Sequence, residues 1–215
     1  MSSIYVHHRV TCEPRTWSDV AKQVIDLHDF VIRNNETSLY GLWRSQIGLP
    51  RDTITMISIW PDLETAKEKS NQICIGMEMV SAVETCIMRP TIRPKTNKRP
   101  ERQGNYAFRW FDTPLRNLYE FLKLCFEAWP DFESSYDSQI IGLWKIENND
   151  KTVKTLLLTR RPNLAMWERS KIPEGPKETS VREKLSRRYD LCDWTTVYTT
   201  TLLTASDDVD LVRWS

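Results

Sequence analysis

Three histidines, two of them adjacent, and a pair of arginines one hundred residues apart are the side chains best suited to move a proton or hold an anion. His7 and His8 lie in the run Tyr5-Val6-His7-His8-Arg9, whose residues suit a β-strand. Neighbours on a strand point to opposite faces, so the two imidazoles cannot serve one site. Ile4, Val6, His8 and Val10 make the more apolar face; Tyr5, His7 and Arg9 are therefore expected to look together into a more polar space. There His7 would transfer a proton and Arg9 would hold an oxyanion or carboxylate. Arg109, in Asn105-Tyr106-Ala107-Phe108-Arg109, is expected to join Arg9 and bind substrate, with Ala107 standing where the first copy has His7. A guanidinium withdrawn from water needs an anionic partner. That partner is either a substrate or one of the chain's own acids, such as Glu84 or Asp193, and His7 is either a proton carrier or a hydrogen-bonded core residue. His28, beside Leu27, reads as a surface residue.

Aromatic residues supply the remaining candidates, since nine tryptophans imply either heavy core filling or an aromatic-lined cavity. Trp43 and Trp144 each follow a glycine by two positions, Gly41 and Gly142, which leaves room for a ligand or for close approach of a helix. Because the pattern recurs, packing is favoured there. Trp60 has Arg161 as its counterpart and is the better candidate for a pocket wall, and Tyr198 offers a phenolic donor.

Several chemistries find no support. The sequence contains no G-x-G-x-x-G, Walker loop, G-x-S-x-G elbow or H-E-x-x-H, and its three histidines are not spaced for a metal centre. Five scattered cysteines without a C-x-x-C pair predict reduced thiols, of which Cys125 and Cys192 are the ones to consider for reactivity. Thirty basic residues against 29 acidic ones give a net charge of +1, so neither nucleic acid nor an anionic membrane is an expected partner. No basic leader precedes an apolar stretch at the start and no membrane-length apolar run occurs, which predicts a cytoplasmic location.

The elements that must position these residues repeat. Gly41-Leu42-Trp43-Arg44 recurs as Gly142-Leu143-Trp144-Lys145, and Pro61-Asp62-Leu63 as Pro162-Asn163-Leu164, both at an offset of 101. The first strands align at an offset of 100, which requires one inserted or deleted residue. Strands are predicted over Ile4–Val10, Ser38–Ser45, Thr53–Trp60 and Ala82–Met88, and again over Tyr106–Phe111, Gln139–Ile146, Thr152–Thr159 and Asp193–Leu203. Hairpins are expected at 47–52 and 147–150. Thr16 and Thr113-Pro114 mark helix starts before the apolar series Trp17, Val20, Val24, Leu27, Val31 and Leu115, Leu118, Leu122, Phe126, Trp129; Asp62 and Asn163 can cap second helices. Each half thus reads β-α-β-β-α-β, giving an α+β protein of two tandem ferredoxin-like repeats, 1–90 and 105–215, the latter with a C-terminal tail. The proline-containing basic stretch at 91–104 is expected to be a solvated linker. Such units leave one sheet face bare, so the two antiparallel sheets are expected to pack face to face as an α/β barrel around a lumen.

At these motifs the chain resembles the NIPSNAP family of the dimeric α/β barrel superfamily. The likeness rests on Tyr-x-x-Arg-x-Phe at Tyr106–Phe111, Phe121-Leu122 on the following helix and Ile-Gly-Leu-Trp at Ile141–Trp144, with Tyr5, Arg9 and Leu42-Trp43 as looser matches in the first half. The resemblance implies relatives that include cofactor-independent monooxygenases, isomerases, haem-binding enzymes and proteins without a known reaction. The expected function is a biosynthetic enzyme without organic cofactor, an isomerase, cyclase or monooxygenase acting on an apolar or aromatic, anionic metabolite in the lumen. A non-catalytic module for a ligand or protein, a haem protein using His7, and a homodimer are the alternatives that it leaves open.

Overall fold

Runs rich in β-branched and aromatic residues become strands almost where their alternation places them, because a pleated, half-buried surface suits such side chains. The computed structural model describes residues 3–35, 37–74, 77–146, 151–207 and 214, and the predicted hairpin at 147–150 falls outside them, as does the His28 side chain. Two units result, one of Met1–Pro90, Thr96–Gln103 and Tyr198–Ser215, the other of Thr91–Lys95 and Gly104–Val197.

The first unit runs β1 (Ile4–Cys12), α1 (Trp17–Asn35), β2 (Ser38–Ile47), β3 (Thr53–Trp60), α2 (Leu63–Lys69) and β4 (Val80–Pro90), with strand order β4-β1-β3-β2. All of these pairings are antiparallel. The second runs β5 (Asn105–Pro114), α3 (Leu118–Ser135), β6 (Gln139–Ile146), β7 (Thr152–Arg161), α4 (Leu164–Arg169), α5 (Gly175–Asp190) and β8 (Trp194–Leu202), in the order β8-β5-β7-β6. β8 belongs to this unit as far as Val197, after which its residues count with the first. Each unit is ferredoxin-like α+β. Asp62 and Asn163 cap α2 and α4 as expected, accepting from the backbone amides of Thr65 at 2.8 Å and Met166 at 2.9 Å.

Register corrects the sequence alignment at one telling place. β1 pairs with β3 through Ile4↔Trp60, and β5 pairs with β7 through Asn105↔Arg161; Gly41↔Ile57 and Gly142↔Leu158 follow suit. Every pair is displaced by 101, the first strands included, so no residue is inserted. The counterpart of Arg9 is Trp110, and that of Arg109 is His8. A slip of one residue exchanges the faces of a strand, which moves Arg109 to the helix-covered side of its own sheet.

The Gly-x-Trp repeats also resolve. A Cβ at residue 41 or 142 would fall inside the indole of Trp43 or Trp144, which folds back across its own strand beside a bulge in the β2–β3 and β6–β7 ladders. The ring itself, rather than a ligand or a helix, fills that space.

In the first unit Trp17, Val20, Ala21 and Val24 of α1 pack on Val10, Leu42, Ile54 and Met56. The second helix of this pattern departs from expectation. β5 continues through Thr113-Pro114, a single 3-10 turn at Leu115–Asn117 intervenes, and α3 starts at Leu118. Its buried stripe is Phe121, Leu124, Cys125, Ala128, Trp129 and Phe132, whereas Leu115 and Phe126 are exposed. Nor is the basic stretch merely a solvated linker. Thr91 N donates to Leu143 O, Leu143 N donates to Arg93 O, both at 2.9 Å, and Arg93 forks onto Glu133 at 2.7 and 3.1 Å. No described helix is long and apolar enough to cross a membrane.

The two units differ most between their third and fourth strands. Nineteen residues join β3 to β4, but thirty-two join β7 to β8. The surplus holds α5, a helix so polar that only Val181 and Leu185 of its stripe reach the core.

Candidate functional site

On β1 the side chains of Tyr5, His7 and Arg9 share the face opposite the α2-packed residues Ile4 and Val6. Tyr198 joins them, its hydroxyl 3.1 Å from His7 Nε2 and its ring centroid 5.3 Å from the Arg9 guanidinium. The partners of this group are internal. Arg9 pairs with Glu84 at 3.2 Å, and the Tyr5 hydroxyl donates to Asn97 Oδ1 at 3.0 Å. Burial, then Arg9 and His8, drive the His7 imidazolium down to about 3, so the ring is neutral throughout the physiological range and a weak base at pH 7. Burial likewise pushes the Tyr5 phenol up to about 12. Trp60 does not border this face. It packs with Ile4, Val6 and Ala66 beneath α2 and its Nε1 donates to Ser58 Oγ at 2.9 Å.

A different site lies in the second unit. Between β5–β7 and helices α3, α4 and α5 is a cavity of about 380 Å³, within the size range of small-molecule pockets. Its walls include Phe111, Trp129, Phe132, Trp167 and Tyr189. Five cations line it, Arg109 from β5, Arg161 from the end of β7, Lys171 beyond α4, and Arg182 and Arg188 from α5; no Asp, Glu or His does. Lys171 pairs with Glu168 at 2.7 Å, and local structure explains how the arginines are held without acids. The Arg188 guanidinium lies 4.9 Å from the centroid of Phe111, and that of Arg161 lies 5.3 Å from Phe132 and 5.6 Å from Trp167. Arg161 Nη1 also donates to Thr159 Oγ1 at 3.0 Å.

These contacts leave donors over. Arg161 Nε, Arg188 Nε and Trp129 Nε1 are buried without hydrogen-bond partners, and among the described residues no carboxylate forms an ion pair with Arg109, Arg161, Arg182 or Arg188. The buried acid of α5, Glu178, is taken by Arg169 at 2.9 Å. Burial, with Arg188 and Arg182 nearby, lowers Arg109 to about 10; burial and Arg109 do the same to Arg161. Each remains charged at neutral pH. Four arginines without acidic partners, in a field of one sign, are the complement of an anion.

Arg9 and Arg109 therefore sit on opposite faces of their respective sheets. Arg109 belongs to the cavity; Arg9, His7, Tyr5 and Tyr198 form a separate cluster, and Trp43 and Trp144 serve their strands. The sequence reading missed Arg161, Arg182, Arg188, Trp129 and Trp167. Its one usable signal was the longer β7–β8 connection, and the Trp60/Arg161 mismatch drew attention to the wrong partner. The Cys125 and Cys192 thiols are both pushed up by burial, so neither is an activated nucleophile.

Neither place offers haem an accessible His, Cys or Met ligand, and Tyr189 is the cavity lining's one side chain of a type that ligates haem iron. The cavity lining lacks His, Cys and Met, the common axial ligands, and His7 is fully buried with Nε2 engaged by Tyr198. Among the described residues no cluster of three His, Cys, Asp or Glu side chains suits a metal ion.

No family model matches the chain, and no curated protein does. Solved structures resemble it over nearly its full length at very low identity. A proposed monooxygenase of Lactobacillus acidophilus has a TM-score of 0.60 at 10% identity, covering 98% of this chain and 100% of its own. An anthrone oxidase-like protein has 0.60 at 10%, covering 97% and 95%. A variant chlorite dismutase from Candidatus Nitrospira defluvii has 0.60 at 6%, covering 94% and 92%. What these likenesses share with the chain is the ferredoxin-like α+β fold.

Proposed function

We propose that the chain is a small-molecule enzyme of monooxygenase type, working without an organic cofactor, which holds an aromatic anion in the cavity of its second unit. The carrying observation is the set of arginines without acidic partners inside aromatic walls. Solved structures with this fold that are named as a monooxygenase or an anthrone oxidase-like protein support the reaction class. The cations would stabilise an oxyanion of the substrate, and the aromatic walls would keep water from it. An electron-rich enolate or phenolate can itself reduce dioxygen. A carbon–oxygen bond forms, the resulting hydroperoxide loses water, and one dioxygen ends as a new carbonyl oxygen and one water with all four electrons drawn from substrate. The common offset of 101 supports tandem duplication, with the site kept in one copy: His8, Val10 and Trp60 occupy the places of Arg109, Phe111 and Arg161.

The lack of any carboxylate or imidazole in the lining favours a second function, ligand binding without turnover. Calorimetric titration with 2-naphthoate and its neutral amide, followed by oxygen-electrode assays with anthrones and naphthols, distinguishes the two. Binding of the acid but not the amide, lost in Arg161→Gln, is the expected result; oxygen uptake then assigns the enzyme, and binding without uptake assigns the module. Equal binding of acid and amide would overturn the anion site.

A further inference from the structure

We infer that this cavity takes a phenol or enol as its conjugate base, with the released proton passing to water and not to a protein side chain. The inference rests on the anion-binding function proposed above and adds the protonation state and acceptor. No lining group can accept a proton at neutral pH. Arginine stays charged, and the Lys171 ammonium lies 2.7 Å from Glu168. A hydroxyl entering a site with four arginines that have no acidic partner meets a potential that favours its ionised form. The geometry also suits a delocalised anion: the walls are aromatic, and the Arg161 and Arg188 guanidinium groups lie over Phe132, Trp167 and Phe111 with no acid beside them. A neutral phenol would leave the repulsion among the arginines in place. Its phenolate offers several lone pairs and offsets that repulsion. Opposite charges within a few ångströms move a carboxyl by about 1–3 units, and a phenol in this cavity should move comparably.

A chromogenic probe, 4-nitro-1-naphthol, tests this directly, because only its ionised form absorbs in the visible. Titrated against pH with saturating wild-type protein, its apparent pKa should fall by about 1–3 units, a preference of roughly 10- to 1000-fold for the ionised form. In weak buffer, binding at a pH midway between the probe's bound and free pKa values should release about 0.5 to 0.9 proton per site for such a shift. Arg182→Gln, at the rim, should reduce the shift without unfolding the protein, and Arg161→Gln should remove most of it. Binding of the probe with an unshifted pKa, while 2-naphthoate still binds and its amide does not, overturns this inference and leaves the anion site standing. Failure of both probes overturns the anion site as well. A pKa shift without proton release to buffer would show a protein acceptor and would also refute it.

Discussion

Replacing Arg109 by Met should make the ligand-free protein more stable while abolishing anion binding. Arg109 is held near 10, well below the ordinary guanidinium range, a difference that at 1.36 kcal/mol per unit corresponds to ~3 kcal/mol by which the fold disfavours the charged form. The direction follows from proton counting. Below pH 10 the group is charged in both folded and unfolded states, so the whole cost stands at neutral pH; above about 10 the folded protein sheds the proton before the unfolded chain does, and stability would rise with pH there. Arg188 and Arg182, which contribute to the shift, remain in the variant, while methionine fills the stem's volume against Phe111 and Leu157 without charge. Some of the 3 kcal/mol will be lost to imperfect repacking and to water at the cavity mouth, which leaves a gain of about 1–3 kcal/mol. For a chain of this length that is a rise of roughly 3–9 °C in melting temperature. Differential scanning calorimetry with and without 2-naphthoate reads both halves of the prediction. The wild type should melt lower alone and gain with ligand, whereas Arg109→Met should melt higher and not respond. A variant that melts lower than wild type while still responding to ligand would refute the reasoning, because Arg109 would then be a satisfied structural residue.

Three other perturbations test the remaining assignments. Trp60→Ala should destabilise the protein by about 3–5 kcal/mol in chemical denaturation without altering naphthoate affinity, since the indole fills core beneath α2. Gly142→Ala should be costly although one methyl is small, because the Cβ would overlap the Trp144 ring; a melting temperature equal to wild type would contradict the folded-back indole. His7 is near 3 folded and near 6.5 unfolded, so the unfolded chain binds the extra proton between those values and stability falls as pH drops from about 6.5 to 3. His7→Gln should flatten that acid limb in urea titrations and leave ligand binding unchanged, and an unchanged limb would show that other groups carry it.

Much of the fold was legible because periodicity survives in single residues. The strand Thr53–Trp60 and the caps Asp62 and Asn163 stand where alternation and capping chemistry put them. Errors arose where two patterns were equally good locally. Leu115, Leu118, Leu122, Phe126 and Trp129 step by three or four as well as the stripe that is buried, and only packing against β5 to β7 adds Phe121 and Cys125 to Trp129, leaves Leu118 and Leu122 half-buried and turns Leu115 and Phe126 out. The candidate site failed on a single residue of register. Aligning Tyr5 with Asn105 instead of Tyr106 put Arg109 on Arg9's face, and because side chains alternate, an error of one became an error of side. α5 was harder to see for another reason: Val181, Leu185 and Tyr189 make a stripe only one residue wide in a helix of sixteen mostly polar residues.

Guanidinium groups that lean on benzene rings and not on carboxylates have a consequence for how the protein meets its ligand. Their positive charge is uncommitted, so in any salt-containing fluid phosphate, citrate or sulfate will compete for the same forks, and capture becomes an exchange of one guest for another. Affinity measured in phosphate buffer should accordingly be weaker than in chloride at equal ionic strength, and the choice of counter-ion becomes part of the protein's selectivity.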